Sequence, residues 1–224
     1  MPTLNLLYQW QYPINDKIKI VIPKVGEIID HEDEYYSLVS LLTAMPIDLM
    51  VQLSDAGIDF TEINEYELFL MMFPAIKSQD TSLVFGDFDL SGFVMAENKK
   101  NNTVVLWDEK ADMVIDRAIH GQIASVLRKI NHLEQNRRKP ANEAAKKYMI
   151  QRAREKQKRL QRRKQESQLE SLIVAMVNAP QYKYDFEGTR ELSIYQFNES
   201  VRQVIKRVDL ILGRVQRNLY MNFR

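Results

Sequence analysis

Cysteine is absent from the 224 residues, and that absence removes disulfide frameworks, thiolate zinc sites and cysteine nucleophiles together. It suits a reducing compartment. Histidine is nearly as scarce: His31, His120 and His132 lie far apart and none forms an HExxH pair, so no histidine-built metal site is expected. The seven glycines form neither GxGxxG nor GxxxxGK(S/T), so nothing cradles a phosphate, and no GxSxG elbow presents a nucleophile. In GDFDLSG, Asp87 and Asp89 alternate as calcium ligands do, but the closing glutamate of an EF-hand is missing, and a tight turn between strands is the expectation. Carboxylate pairs from distant segments are not excluded by spacing. The chain is nonetheless read as no enzyme, with no cofactor and no metal.

Long apolar runs are missing too. A stretch low in charge such as Leu68 to Ile76 falls far short of the roughly 20 residues of a membrane span. Met1 to Trp10 has no basic residue ahead of an apolar run, so no secretory signal is read. A soluble protein of the cytosol is expected, without a membrane partner.

What is present is a division of charge hidden by a net charge of +1. Residues 1–120 hold 8 of the 31 basic and 20 of the 30 acidic residues, a net of −12, and residues 121–224 carry +13. Between Arg128 and Lys164, 15 basic residues face only Glu134, Glu143 and Glu155. An acidic body joined to a basic arm is a statement about partners and solubility, not about fold.

Periodicity gives the organisation. Ile18, Ile20 and Ile22 alternate with Lys17, Lys19 and Val21 up to Pro23, as in a short half-buried strand. Asp30 and the acidic turn at residues 31–34 precede a helical stripe at Tyr35, Leu38, Val39 and Leu42, with negative charge at the helix's positive end. Thr43 is placed as the cap of a second helix, with Pro46 in its first turn and Gly57 at its end. Thr61 is placed as the N-cap of a third, which Pro74 should stop. Residues 98–102 separate Val94 and Met95 from a β-rich run at residues 103–107, predicting a hairpin. A helical period from Met113 to Ile130 follows. Asn142 then begins a long stretch free of Gly and Pro that runs to Ala179, with an apolar stripe at Leu169, Leu172, Ile173, Met176 and Val177, and a last helix is expected from Thr189.

The predicted fold is α+β and mostly helical: a small N-terminal mixed part with a β-hairpin, then a long basic helix and C-terminal helices. Residues 1–133 read as a compact acidic domain, 134–168 as a basic helical connector and 169–224 as a C-terminal helical region. The basic patch comprises Arg137, Arg138, Lys139, Lys146, Lys147, Arg152, Arg154, Lys156, Lys158, Arg159, Arg162, Arg163 and Lys164. Nucleic acid is its obvious partner by counterion release. Yet Tyr148 is the only aromatic residue between Arg128 and Lys164, so the stacking platform of a single-strand binder is missing. A solvated helix linking two packed parts, a protein partner and a nucleic acid all stay open.

The string SLIVAMVNAPQYKYDFEGTRELSIYQFNESVRQVIKR, residues 171–207, resembles proteins encoded among the tail genes of bacteriophages and prophages of Gram-positive bacteria. VGEIID, EDEYYSLVSLL, NEYELFLMMF, DTSLVFGDFDL and the Arg/Lys-rich stretch before Leu169 are similar to the same group, so the likeness covers most of the chain by phrasing, without a catalytic signature. It implies a tail assembly chaperone or morphogenesis factor of the host cytoplasm that coats the tape-measure protein before the tail tube polymerises. The tape-measure or tail tube protein is then the partner, with self-association as a further one. Flexible methionines suit such a surface, and Met45, Met50, Met71, Met72, Met113 and Met176 are candidates, although core packing suits most of them better. Tyr182, Tyr184, Phe186, Tyr195 and Phe197 form an aromatic group that either makes a hot spot or fastens the final helix to the body. A nucleic-acid-binding accessory protein and a structural virion component are the other readings. Residues 214–224 depart from any clear pattern, as a continued helix or a frayed end.

Overall fold

Ile18, Ile20 and Ile22 are fully enclosed in the computed structural model, which describes residues 5–98, 102–161 and 167–222. They flank and occupy β2 (Lys19–Val21), which pairs antiparallel with β1 (Gln11–Pro13) in the register Tyr12 to Ile20. The Asn15 side-chain oxygen accepts from the Ile18 amide at 2.7 Å and closes the turn between them. Pro23 ends the strand, and a five-residue helix, α1 (Val25–Ile29), follows, too short to announce itself by period.

In α2 (Glu32–Thr43), Tyr35, Leu38, Val39 and Leu42 all face the core, as the stripe predicts. His31 is its N-cap and makes no side-chain cap bond, so the acidic turn acts on the dipole and not through a side-chain cap. Thr43 caps nothing: it is the last residue of α2, and its hydroxyl donates to the Val39 carbonyl at 2.7 Å. The second helix is two pieces, a 3-10 turn (Pro46–Leu49) and α3 (Met50–Asp55), ending where Gly57 takes φ 73°.

The third helix, α4 (Glu65–Lys77), starts three residues later than Thr61 suggests. Asn64 is its cap, accepting from the Tyr66 and Glu67 amides at 3.0 and 3.1 Å, while Glu67 reaches back to the Asn64 amide at 2.8 Å. Pro74 lies inside the helix. Its missing N–H costs a hydrogen bond, but Phe73 and Ile76 on either side are buried, and that burial holds the last turn in place.

A single turn, α5 (Ser82–Phe85), precedes β3 (Val94–Asn98) and β4 (Thr103–Asp108), the expected hairpin. Asp87 and Asp89 lie in the loop between α5 and β3, not between strands, and Asp89 accepts from the Ser91 amide at 2.7 Å. Met113 does not open a helix: Met113–Ile115 is β5, paired with β4 so that Ile115 faces Leu106, in the order β3-β4-β5. Asp116 then caps α6 (Arg117–Ile130), accepting from the Ile119 amide at 2.9 Å.

The stretch free of Gly and Pro over residues 142–179 carries the expected long basic helix, α7 (Glu143–Gln161), and the first of the C-terminal helices, α8 (Gln168–Val177). Ser167 caps α8, and Glu32 of α2 accepts from the Leu169 amide at 3.1 Å, so an acidic residue of the body holds the start of this helix. The chain ends in α9 (Phe186–Glu191) and the 29-residue α10 (Ile194–Asn222), so residues 214–222 continue a helix.

Among the described residues, ten α-helices and two small antiparallel sheets make a mostly helical α+β protein. Leu169, Ile173, Met176, Ile194 and Phe197 pack in the same core as Ile18–Leu42 and α6. Backbone bonds from Val25 to Leu192 (2.9 Å) and Ile194 to Pro23 (2.9 Å) stitch the C-terminal segment to the first strands. A second, smaller core of Ile47, Leu53, Phe60 and Leu68 receives Met149 and Ile150 from α7.

Candidate functional site

The aromatic group near the C-terminus divides in two. Tyr182, Tyr195 and Phe197 are at most 9% exposed. The Tyr182 hydroxyl lies 3.0 Å from the Thr189 hydroxyl, its ring meets Phe197 edge-on, and Tyr195 packs edge-on against His132 at the end of α6. Burial pushes both tyrosine hydroxyls above their ordinary pKa. These three fasten α10 to the body. Tyr184 and Phe186, by contrast, are 45% and 52% exposed.

Tyr184 borders a groove of about 400 Å³ at the root of α10, between residues 181–184, Leu192, the α10 face from Gln196 to Arg207, and the N-terminal segment at Leu7 and Tyr8. The Gln196 side chain ties that segment down by donating to the Leu7 carbonyl at 2.8 Å. Leu7 and Tyr8 are exposed on its rim, Tyr8 to 80%. An amphipathic surface of tyrosines around an open groove is the composition of a protein-binding hot spot. The sequence alone did not single out Leu7 and Tyr8, because nothing in the uncharged stretch at residues 1–10 tells which residues a distant helix leaves uncovered.

The methionines distribute differently from a single client surface. Met113 and Met176 are buried, Met45, Met50 and Met72 pack partly covered against the two cores, and Met71 is exposed.

The basic residues also divide. One side of α7 lies on the acidic body: Lys146 Nζ is 2.7 Å from Asp59 and 2.6 Å from Glu143, Arg154 pairs with Asp55, and Met149 and Ile150 fill the space between. The hydrogen bond from Lys146, with those from Thr61, draws the Asp59 carboxyl down to about 2. The exposed remainder of α7 carries Lys147, Arg152, Lys156, Lys158 and Arg159, with no ion pair among the described residues. Tyr148 is exposed there with the Arg152 guanidinium 5.9 Å from its ring. Arg137, Arg138 and Lys139 line a separate cavity of about 350 Å³ beside Met45, Pro46 and Phe60. Arg162, Arg163 and Lys164 lie outside the described residues.

Arg128, the first residue of the basic excess, is an internal group. It donates to Glu65 at 2.6 Å and to the Thr43 carbonyl at 2.5 Å, and Gln135 donates to the other Glu65 oxygen at 3.0 Å. Its partner is 63 positions away, so no local pattern could have revealed it. His120 is likewise internal, 2% exposed and stacked on Phe69 at 4.1 Å, with Nε2 unpartnered. Burial lowers its pKa to about 4.

Among the described residues no group of three or more His, Asp or Glu side chains is placed to hold a metal, and no single helix is long and apolar enough to cross a membrane. The fold and groove define a mostly helical α+β protein with an aromatic-rimmed cleft at the base of a long helix. No family model matches the chain, nor does any characterised protein or solved structure.

Proposed function

We propose that this chain is a non-enzymatic phage tail assembly chaperone or morphogenesis factor of the host cytoplasm, and that it holds the tape-measure protein through the groove at the root of α10. The observation that carries the reading is where the resembling residues lie. The string 171–207, the longest likeness to tail-gene proteins, supplies residues 181–184, Leu192 and the α10 wall of that groove. Tyr8 and Tyr184 offer rigid, amphipathic contact area at low entropic cost, which suits a long client with many similar apolar segments.

Co-expression with the tape-measure protein tests it. The full chain should raise the client's solubility and co-purify with it, and Tyr8→Ala with Tyr184→Ala should weaken the complex without altering the fold. Failure of the wild type to form a complex would sink the proposal.

A second reading, a nucleic-acid-binding accessory protein, has its support in the exposed basic residues of α7 that make no ion pair among the described residues, with Tyr148 and Arg152 in contact. Its sign is a salt-sensitive DNA mobility shift, abolished when Lys156, Lys158 and Arg159 are neutralised. A structural virion component would instead be found in mature particles.

A further inference from the structure

The connector between α6 and α7 forms one wall of a cavity of about 350 Å³ whose other side is apolar. Met45, Pro46 and Ile63 line that side, with Met45 and Ile63 half-buried against Ile47 and Phe60 of the smaller core. On the connector wall Arg137, Arg138 and Lys139 are all exposed. A second cavity of about 320 Å³, reaching Asn142, Glu143 and Lys146, shares Thr61, Lys139 and Pro140 with the first, so the two adjoin as one elongated groove.

The charge of this groove is one-sided. Among the described residues its carboxylates are Glu65 and Glu143, and both are occupied, Glu65 by Arg128 at 2.6 Å and Gln135 at 3.0 Å, Glu143 by Lys146 at 2.6 Å. Arg137, Arg138 and Lys139 make no ion pair among the described residues. A chain of hydrogen bonds also positions one of them. Arg128 holds Glu65, the Gln135 amide nitrogen donates to the other Glu65 oxygen, and the Gln135 amide oxygen accepts from Arg137 Nε at 2.8 Å. That bond leaves the two terminal nitrogens of the guanidinium, a fork that matches a carboxylate. Pro140 restricts Lys139 before it to extended backbone.

We infer that this groove binds an acidic segment of a partner protein, with an apolar side chain seated against Met45, Pro46 and Ile63 and carboxylates on Arg137, Arg138 and Lys139. Charge complementarity selects this occupant. Three cations on consecutive residues spread over up to about 7 Å of chain, a span that one carboxylate cannot answer and a run of Asp and Glu can. A nucleic acid would answer the cations but leave the apolar wall unused, because Phe60, the groove's aromatic residue, is 5% exposed and offers no face for stacking. The groove shares no residue with the one at the root of α10, so this inference stands apart from the client reading.

Fluorescence anisotropy with the full chain and a labelled peptide of sequence DEDLFEDE tests it. This probe should bind saturably, whereas DEDSSEDE, without the apolar anchor, and NQNLFQNQ, without the charge, should each bind more weakly by about tenfold or more. Arg137→Gln with Arg138→Gln changes two exposed residues outside both cores, so thermal unfolding should be unchanged while affinity for DEDLFEDE falls by about tenfold. Lys156→Gln with Lys158→Gln removes the same charge from α7 outside the groove and should bind as the wild type does. Tyr8→Ala with Tyr184→Ala should do so too, which separates this site from the client groove.

No saturable binding of DEDLFEDE, no preference for it over DEDSSEDE, or an equal loss from the Lys156 and Lys158 pair would each overturn the inference. Tighter binding of an oligothymidine of equal charge, lost on changing Arg137 and Arg138, would overturn it in favour of a nucleic acid. A self-associated wild type that the peptide dissociates, seen by light scattering, would overturn it in favour of a second copy of this chain.

Discussion

Lys146 on α7 and Asp59, in the loop after α3, meet at 2.7 Å, so the acidic half of the sequence holds the basic half against itself. The contact is one of a pair, with Arg154 on Asp55 two turns further along α7. The apolar side chains between them, Met149 and Ile150, are too few to dock a 19-residue helix alone, and the ion pairs set its orientation. Asp55→Asn with Asp59→Asn should release α7 from α3. Hydrogen exchange should then show lost amide protection over residues 143–161 while α2 and α6 keep theirs. Asp59, depressed to about 2, favours the docked state above the ordinary carboxylate pKa, and this contribution is lost as pH falls through about 2. Unchanged protection in the double variant would mean that the apolar contacts suffice.

Arg128 is the opposite case, a cation withdrawn from the surface. With Glu65 and the Thr43 carbonyl as partners it ties α6 to α4 and to the end of α2. Arg128→Ala leaves the Glu65 carboxylate without its main partner, at a cost of about 3 kcal/mol. Arg128→Met with Glu65→Leu removes both charges and should cost less than the single change. Urea unfolding of the variants checks the order, and a double variant less stable than Arg128→Ala would contradict it.

These contacts mark where sequence reasoning reaches and where it stops. The stripe of α2 was legible because Tyr35, Leu38, Val39 and Leu42 repeat at helical spacing. β5 was not: Met113, Val114 and Ile115 fit a helix as well as a strand, and only the partner residues Leu106, Trp107 and Asp108 decide between them. Pro74 misled because a local rule met a stronger tertiary term at Phe73 and Ile76. For the candidate site, Tyr182, Tyr184, Phe186, Tyr195 and Phe197 were visible as a group by composition. Which of them face solvent depended on α6, on the placement of Thr189 and on the N-terminal segment, all encoded elsewhere in the chain.

Asn64 carries a sharper test of the α4 boundary. Its side chain satisfies two amides that the helix leaves unpaired, and Glu67 completes the capping box. Thr61 is instead in the loop, its hydroxyl donating to Asp59 at 2.7 Å. Asn64→Ala should therefore lower stability by about 1 kcal/mol. Thr61→Ala should cost less and act on the Asp59 end of the α7 contact. Equal effects on thermal unfolding would place the helix start at neither residue.

His120 gives the fold a dependence on pH that its surface carboxylates do not explain. The imidazole is enclosed by Phe69 and Tyr66, and burial, aided by the Arg128 guanidinium, holds its pKa near 4 against 6.5 when free. Between these values the unfolded chain takes up a proton that the folded chain refuses. Stability therefore falls as pH drops from above 6.5 toward 4, and this group contributes no further loss below that. The full effect is roughly 3 kcal/mol. His120→Phe keeps an aromatic ring against Phe69 and removes the titration. Urea unfolding at pH 7 and again near pH 4.5 should show the wild type losing more stability than the variant by roughly 2–3 kcal/mol. Equal losses in the two proteins would mean that the folded state admits the proton, and hence water or a hydrogen-bond acceptor, at Nε2.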